Sequence, residues 1–267
     1  MTRILIIGLG AMGGAMAREL SQNTNYEILG YDVASQTCHA AITAGFITQS
    51  IDITDVDNLN VDLIILATPP HITQKLLLNM QTATLILDIA SVKEPIMQAG
   101  RHLSHFVGGH PMVGTDKFGF SGHGSVSYQQ RNFFLIGNDT DIQQIKKILS
   151  PLNSQFIVTT PKLHDQQVAL TSDLPHLVAY ALVQTLQESA TSNTLAYLGN
   201  GFKDTTRIAQ ANGELWSDIL AQNKTAVHQS LQAFITVLKM LDNNMMINNA
   251  TKLNQQLQAI QTFRRTF

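Results

Sequence analysis

The sequence predicts a doubly wound, mainly parallel α/β sheet followed by an all-α region, and three observations carry that reading. Short apolar runs alternate with amphipathic stretches over the first 160 residues. A glycine-rich turn joins the first run to the first amphipathic stretch, and period-2 patterning stops after Pro161. Strand–helix alternation at this pitch implies right-handed crossovers between parallel strands.

Taken in order, the apolar runs Arg3–Gly8, Glu27–Asp32, Leu63–Thr68, Leu85–Ala90 and Phe106–Gly109 read as buried strands. Met12–Ser21, Ala34–Ala44, His71–Met80 and Glu94–Leu103 read as the helices between and after them. Asn132–Gly137 and Gln155–Thr160 complete the sheet around a helix at Asp141–Leu149. Residues 1–160 form one expected domain and 161–267 a helical one. In the second, His164–Leu186 reads as one long helical run that Pro175 kinks or splits. Further helical stretches are expected at 189–198, 203–211, 213–242 and 245–264, and the tail rich in Asn and Gln (Asn243 to Gln256) reads as a solvated helical hairpin.

Composition narrows the function. Hydrophobic residues make up 44% and charged residues 13% of 267 residues, which suits a chain with a real core. A formal net charge of −2 without a Lys/Arg cluster leaves no electrostatic footprint for nucleic acid. The lone Cys38 rules out an intrachain disulfide and reads as a small buried filler. No apolar run approaches the ~20 residues of a membrane span, and Met1–Ile7 reads as a strand and not as a leader. The expectation is a cytoplasmic protein without membrane or nucleic-acid partners.

Gly8-Leu9-Gly10-Ala11-Met12-Gly13 directly follows the first strand and opens the first helix. Gly8 permits the tight turn, Gly10 lets the backbone approach a pyrophosphate, and Gly13 lets helix and strand pack closely. The helix start offers free N–H groups to phosphate. Asp32 ends the second strand, 24 positions after Gly8, where a carboxylate accepts the ribose hydroxyls of an adenosine. It would repel a 2′-phosphate, and Val33 to Thr37 supply no cation to offset that, so the expected cofactor is NAD over NADP. Thr68 and Pro69 end another strand and are expected to line the same cofactor.

Three polar clusters remain. Asp88-Ile89-Ala90-Ser91-Val92-Lys93 stands at a strand end. Gly108-Gly109-His110-Pro111 opens a segment that runs through Thr115 and Asp116, and a histidine cleared by two glycines is a natural general base near neutral pH. The third cluster joins His164-Asp165, Ser172-Asp173-Leu174-Pro175-His176 and Gly201 to Arg207. His164 with Asp165 reads equally as a supporting pair or a helix start. Lys203 and Arg207, four apart, must from spacing alone either be solvated, the favoured reading, or meet an anion. The histidines and the single thiol show no paired-ligand motif, so no metal is expected.

Together these motifs resemble the prephenate and arogenate dehydrogenases of tyrosine biosynthesis, in the right order from Ile4 to about Trp216. The resemblance implies a Rossmann NAD-binding domain followed by a helical dimerisation domain, and a homodimer. It implies oxidative decarboxylation of prephenate or arogenate with hydride transfer to NAD. It makes His110 the catalytic histidine on the ring hydroxyl and Ser91 the serine that orients it. Arg207 would hold the ring carboxylate, His176 and Ser172 would lie near the side-chain carboxylate, and Thr115, Lys203 and Trp216 would be outer pocket positions. Asp116 and Asp173 depart from the Glu and His expected in many members. Two other readings stay open. One is a β-hydroxyacid dehydrogenase of the 3-hydroxyisobutyrate type, whose Ser-Gly-Gly segment Asp88–Lys93 lacks. The other is a catalytically silent NAD-binding sensor or scaffold.

Overall fold

The computed structural model describes residues 1–54, 56–115, 117–246 and 250–267. Asp116, Asn248 and Asn249, singled out by sequence, lie outside the described residues. Strand and helix alternate as β1 (Thr2–Ile7), α1 (Ala11–Leu20), β2 (Tyr26–Tyr31), α2 (Ser35–Thr43), β3 (Gln49–Ser50), β4 (Leu63–Leu66), α3 (Pro70–Asn79), β5 (Leu85–Asp88), α4 (Glu94–Ala99), β6 (Phe106–Pro111), β7 (Asn132–Ile136), α5 (Asp139–Ile148) and β8 (Gln155–Val158). The strands form one sheet in the order β3-β2-β1-β4-β5-β6-β7-β8. Every pairing is parallel except β6 with β7, where His110 lies opposite Phe134. The order reverses between β1 and β4, which opens a crevice at the carboxyl ends of those strands.

The central strands are apolar throughout because helices cover both faces. Alternate residues serve opposite layers. Ile4, Ile6, Ile65 and Leu87 pack with Met16 and Leu20 of α1, while Leu5, Ile7, Ile64 and Ile86 pack with Leu77 of α3 and Ile96 of α4. Each such side chain contributes roughly 1.5–3 kcal/mol through burial. The short β3, which the sequence pattern did not reveal, extends the sheet edge beside β2.

After β8 no strand occurs among the described residues. The helices are α6 (Pro161–Val168), α7 (Leu174–Ser189), α8 (Asn200–Thr206), α9 (Gly213–Gln222), α10 (Lys224–Met246) and α11 (Ala250–Arg264). The chain forms two compact units, Met1–Asn223 and Lys224–Phe267. In the second, Asn244 is buried and donates to Gln256 Oε1 at 2.8 Å, so that part of the tail is not solvated as expected.

The run 164–186 breaks near Pro175 as expected, at a π-helical turn over Ala169–Asp173, while other expected helices are corrected. The widened turn accommodates a residue that lacks an N–H and whose ring crowds the carbonyl four positions back. Beyond Ser189, which ends α7, residues 190–198 hold only a short 3₁₀ turn at Thr194–Tyr197. There the Thr194 hydroxyl accepts from the Thr191 N–H at 2.8 Å, a local bond that competes with helix. The stretch 203–211 tightens to 3₁₀ at Arg207–Gln210, and 213–242 divides at Asn223.

Candidate active site

The glycine corner is fixed by backbone contacts. Gly8 has φ +93°, and a Cβ there would stand 2.5 Å from the Ala67 carbonyl oxygen. A Cβ on Gly13 would stand 1.8 Å from the Gly8 oxygen, so α1 can only approach β1 without one. Gly10 meets nothing within 4 Å. The space in front of it is therefore open, and α1 starts there without a side-chain cap. Asp32 closes the corner from β2: Oδ2 accepts the Leu9 N–H and Oδ1 the Ala34 N–H, both at 2.9 Å. Each oxygen keeps lone-pair capacity for a further donor. Thr68 and Pro69 follow β4 across the crevice. The Thr68 hydroxyl lies 2.8 Å from that of Thr73, which ties the strand end to α3. An unfilled glycine approach, uncapped amides of Ala11 and Met12 and an acceptor at the end of β2 fit a dinucleotide.

His110 stands near the end of β6, buried against β7. Its Nδ1 lies 2.8 Å from Nε2 of His164, whose Nδ1 lies 2.7 Å from Asp165 Oδ1. Asp165 also accepts the backbone N–H groups of Lys93 and Glu94, each at 2.8 Å. Lys93 is fully buried; its ammonium donates to Asp88 Oδ1 and, at 2.6 Å, to the Gly109 carbonyl. Asn223 extends the network, donating to the Asp165 carbonyl at 3.0 Å and to Asp173 Oδ2 at 3.1 Å. Ser91 is half-buried, and its hydroxyl makes no hydrogen bond among the described residues.

The electrostatics follow from burial. Desolvation, then the charges of His164 and Lys93, hold the His110 pKa well below the usual histidine value. Burial also lowers His164, against the opposing hydrogen bond to Asp165. Burial raises Asp88 and lowers Lys93, and their mutual attraction opposes both shifts. Asp173 is pushed up to about 7, first by burial and further by the Asp165 charge, with Asn223 opposing.

A second cluster gathers around the turn into α7. His176 stacks on Trp216 with ring centroids 3.5 Å apart, and its Nδ1 lies 2.9 Å from the Ser172 carbonyl. Burial, followed by the nearby Arg207 charge, lowers His176 against that hydrogen bond. Arg207 and Lys203 are exposed and Thr115 is half-exposed. Structure thus unites His176, Ser172, Trp216 and Arg207 in one place, and His110 with His164, Asp165 and Lys93 in another. Asp173, which departs from the histidine expected there, is buried and bonded to Asn223.

Sequence reasoning gave Lys93 and Asn223 no role and left the His164–Asp165 pair undecided. An open groove of about 470 Å³, lined by Asp57, Thr82, His105 and Gln144 among others, lies at the amino ends of β4 and β5. That is the wrong end of a doubly wound sheet for its ligand. Among the described residues no group of three His, Cys, Asp or Glu could hold a metal.

Comparison with known proteins gives a consistent picture. The family model described as "Prephenate dehydrogenase, nucleotide-binding domain" matches residues 16–158, and "Prephenate dehydrogenase, dimerization domain" matches 160–260. A prephenate dehydrogenase of Bacillus subtilis is 30% identical over 240 residues, 84% of this chain; the chain spans 65% of the length of that relative. A crystal structure of prephenate dehydrogenase from A. aeolicus, in complex with hydroxyphenyl propionate and NAD+, superposes with a TM-score of 0.91 at 28% identity, covering 100% of this chain and 98% of that one. The arogenate dehydrogenase of Synechocystis gives 0.79 at 26%, covering 99% of each.

Proposed function

The chain belongs to the prephenate dehydrogenase family, and from that premise we propose that it oxidises prephenate with NAD+, releasing CO₂ and 4-hydroxyphenylpyruvate. The observation that carries this reading is a neutral, buried His110 on β6, in the same sheet whose β1–β4 crevice bears the glycine corner. NAD+, when bound, supplies the hydride acceptor. Gly8, Leu9, Gly10, Ala11, Met12 and Gly13 hold its pyrophosphate, Asp32 its adenosine ribose, and Thr68 and Pro69 the adjoining wall.

His110 takes the proton of the ring hydroxyl as the carbonyl forms. An imidazole kept neutral by burial is ready for this at and below neutral pH. Arg207 binds the ring carboxylate; a guanidinium grips it with two parallel bonds and fixes its orientation. His176, Ser172, Lys203 and Thr115 surround the substrate side chain, with His176 steadied by Trp216. Ser91, whose hydroxyl makes no hydrogen bond among the described residues, is free to meet the substrate or the nicotinamide. Residues 1–160 serve the cofactor, and 161–267 serve substrate binding and dimerisation in the cytoplasm. Exposed Leu238 and Met240 on α10, and Leu257 and Ile260 on α11, give apolar surface consistent with a homodimer. Among the described residues no helix is long and apolar enough to cross a membrane.

Arogenate is the second reading, favoured by the likeness to the Synechocystis enzyme. Parallel assays of NADH formation with prephenate and arogenate test both. Turnover of prephenate is expected, a clear preference for arogenate would shift the assignment to it, and no turnover with either would overturn the reading.

A further inference from the structure

We infer that His164 and Asp165 fix the tautomer of His110, keeping its hydrogen on Nδ1 and leaving Nε2 bare as the basic nitrogen. The inference rests on the reading of His110 as the proton acceptor and assigns which of its two nitrogens does the work.

The argument starts from donors whose hydrogens are not in doubt. The N–H groups of Lys93 and Glu94 both point at the Asp165 carboxylate, one to each oxygen. Asp165 is thereby held as an acceptor. Its Oδ1 also lies 2.7 Å from His164 Nδ1, so that nitrogen carries the hydrogen. A neutral imidazole has one N–H, which leaves His164 Nε2 as a lone pair. That lone pair faces His110 Nδ1 at 2.8 Å, so the second hydrogen sits on His110 Nδ1. His110, neutral in its turn, has nothing left on Nε2. Any other neutral arrangement places two lone pairs or two hydrogens against each other in a buried site.

The surroundings oppose the cationic alternatives. His164 packs edge-on to Phe134 of β7 with ring centroids 5.5 Å apart. Lys93, beside the pair at the start of α4, puts a positive charge near both rings, with Asp88 of β5 as its counter-ion. Asp165 on α6 and, beyond Asn223, Asp173 complete the charged groups that face the pair. Burial and Lys93 both favour the neutral imidazoles. When Nε2 takes up a proton, the N–H on the opposite side of the ring already has its acceptor, and the Asp165 carboxylate lies one imidazole away. His164 is therefore a positioning residue, with Asp165 setting its own orientation, as outer partners do for a ring nitrogen.

The test is a ¹⁵N spectrum of histidine-labelled protein without substrate, comparing wild type with His164→Phe and His164→Gln. Wild type is expected to show His110 as a single tautomer, protonated on Nδ1. His164→Phe keeps a ring but removes the acceptor. It should release His110 into a tautomer mixture, lower kcat about tenfold or more with KM nearly kept, and move the acid limb of the pH–rate profile. His164→Gln offers an amide oxygen to His110 Nδ1 and should restore the tautomer and most of the rate. An Nε2-protonated His110 in wild type, or an unchanged tautomer in His164→Phe, would overturn the inference. Should His164→Phe fail to fold, the wild-type spectrum and His164→Gln decide it. Because the spectrum needs no turnover, an enzyme inactive toward prephenate would sink the proposed reaction and leave the tautomer result standing.

Discussion

The glycine corner and the polar cluster behind His110 are fixed by opposite means. The corner is built from neighbours: Gly8 to Gly13 are contiguous, and Asp32 reaches Leu9 from the adjacent strand. Its precision comes from side chains that are missing. The His110 cluster is built from side chains that come from far apart in the chain, with His164 54 residues and Asp165 72 residues from the groups they touch. Its precision comes from hydrogen bonds in a dry interior. At Gly10, where an added methyl meets no protein atom, the corner should therefore keep its stability and fail in ligand binding, while the cluster should fail in both.

The largest expected effect is on the cluster. Lys93→Met fills similar volume but strands the Asp88 carboxylate, one of whose oxygens already lacks a partner among the described residues. Breaking a buried pair on one side costs on the order of 3–5 kcal/mol. Denaturant melts should show that loss; an unchanged midpoint would mean that Asp88 is protonated and the pair contributes nothing.

Gly10→Ala probes the corner. Its methyl meets no protein atom, so thermal stability should stay within about 1 °C of wild type. The methyl instead occupies the space proposed for a phosphate against the uncapped amides, and KM for NAD should rise roughly 10- to 100-fold, the loss of one charge-assisted bond at ~1.5–3 kcal/mol. A destabilised variant with normal KM would reverse the contrast between the two regions.

The smallest effect depends on pH. Asp173 holds its proton up to about 7 in the fold, whereas an unfolded chain releases it near ~4. Between those values folding takes up a proton, so this group makes stability fall as pH rises and then level off above about 7. Asp173→Asn cannot ionise. Its melting temperature should exceed that of wild type at pH 8, with little gain at pH 4. An equal gain at both values would show that ionisation is not the cause.

The same contrast explains what could be read in the sequence. Strand–helix alternation, the corner and Asp32 are periodic or near-neighbour signals, and the parallel sheet followed from them. His110 stood out because two glycines precede it. Asn223 did not, since nothing beside it in the chain hints that its amide bridges Asp165 and Asp173. Lys93 looked like an ordinary strand-end lysine until the fold enclosed it at 0% exposure. Pro175 announced a break, but the form of that break, a widened turn at Ala169–Asp173, depends on packing that no local pattern encodes. For residues 189–198 the apolar spacing was read as helix, and the hydroxyl of Thr194 won instead.

Steady-state kinetics of His110→Asn with prephenate and NAD+ test most directly whether this imidazole is the base. The expected result is a kcat lower by roughly 10²–10⁴, the usual contribution of a positioned base, with KM for prephenate close to wild type. A turnover near that of the wild type would contradict the account, because the proton would then leave by a route that does not pass through His110.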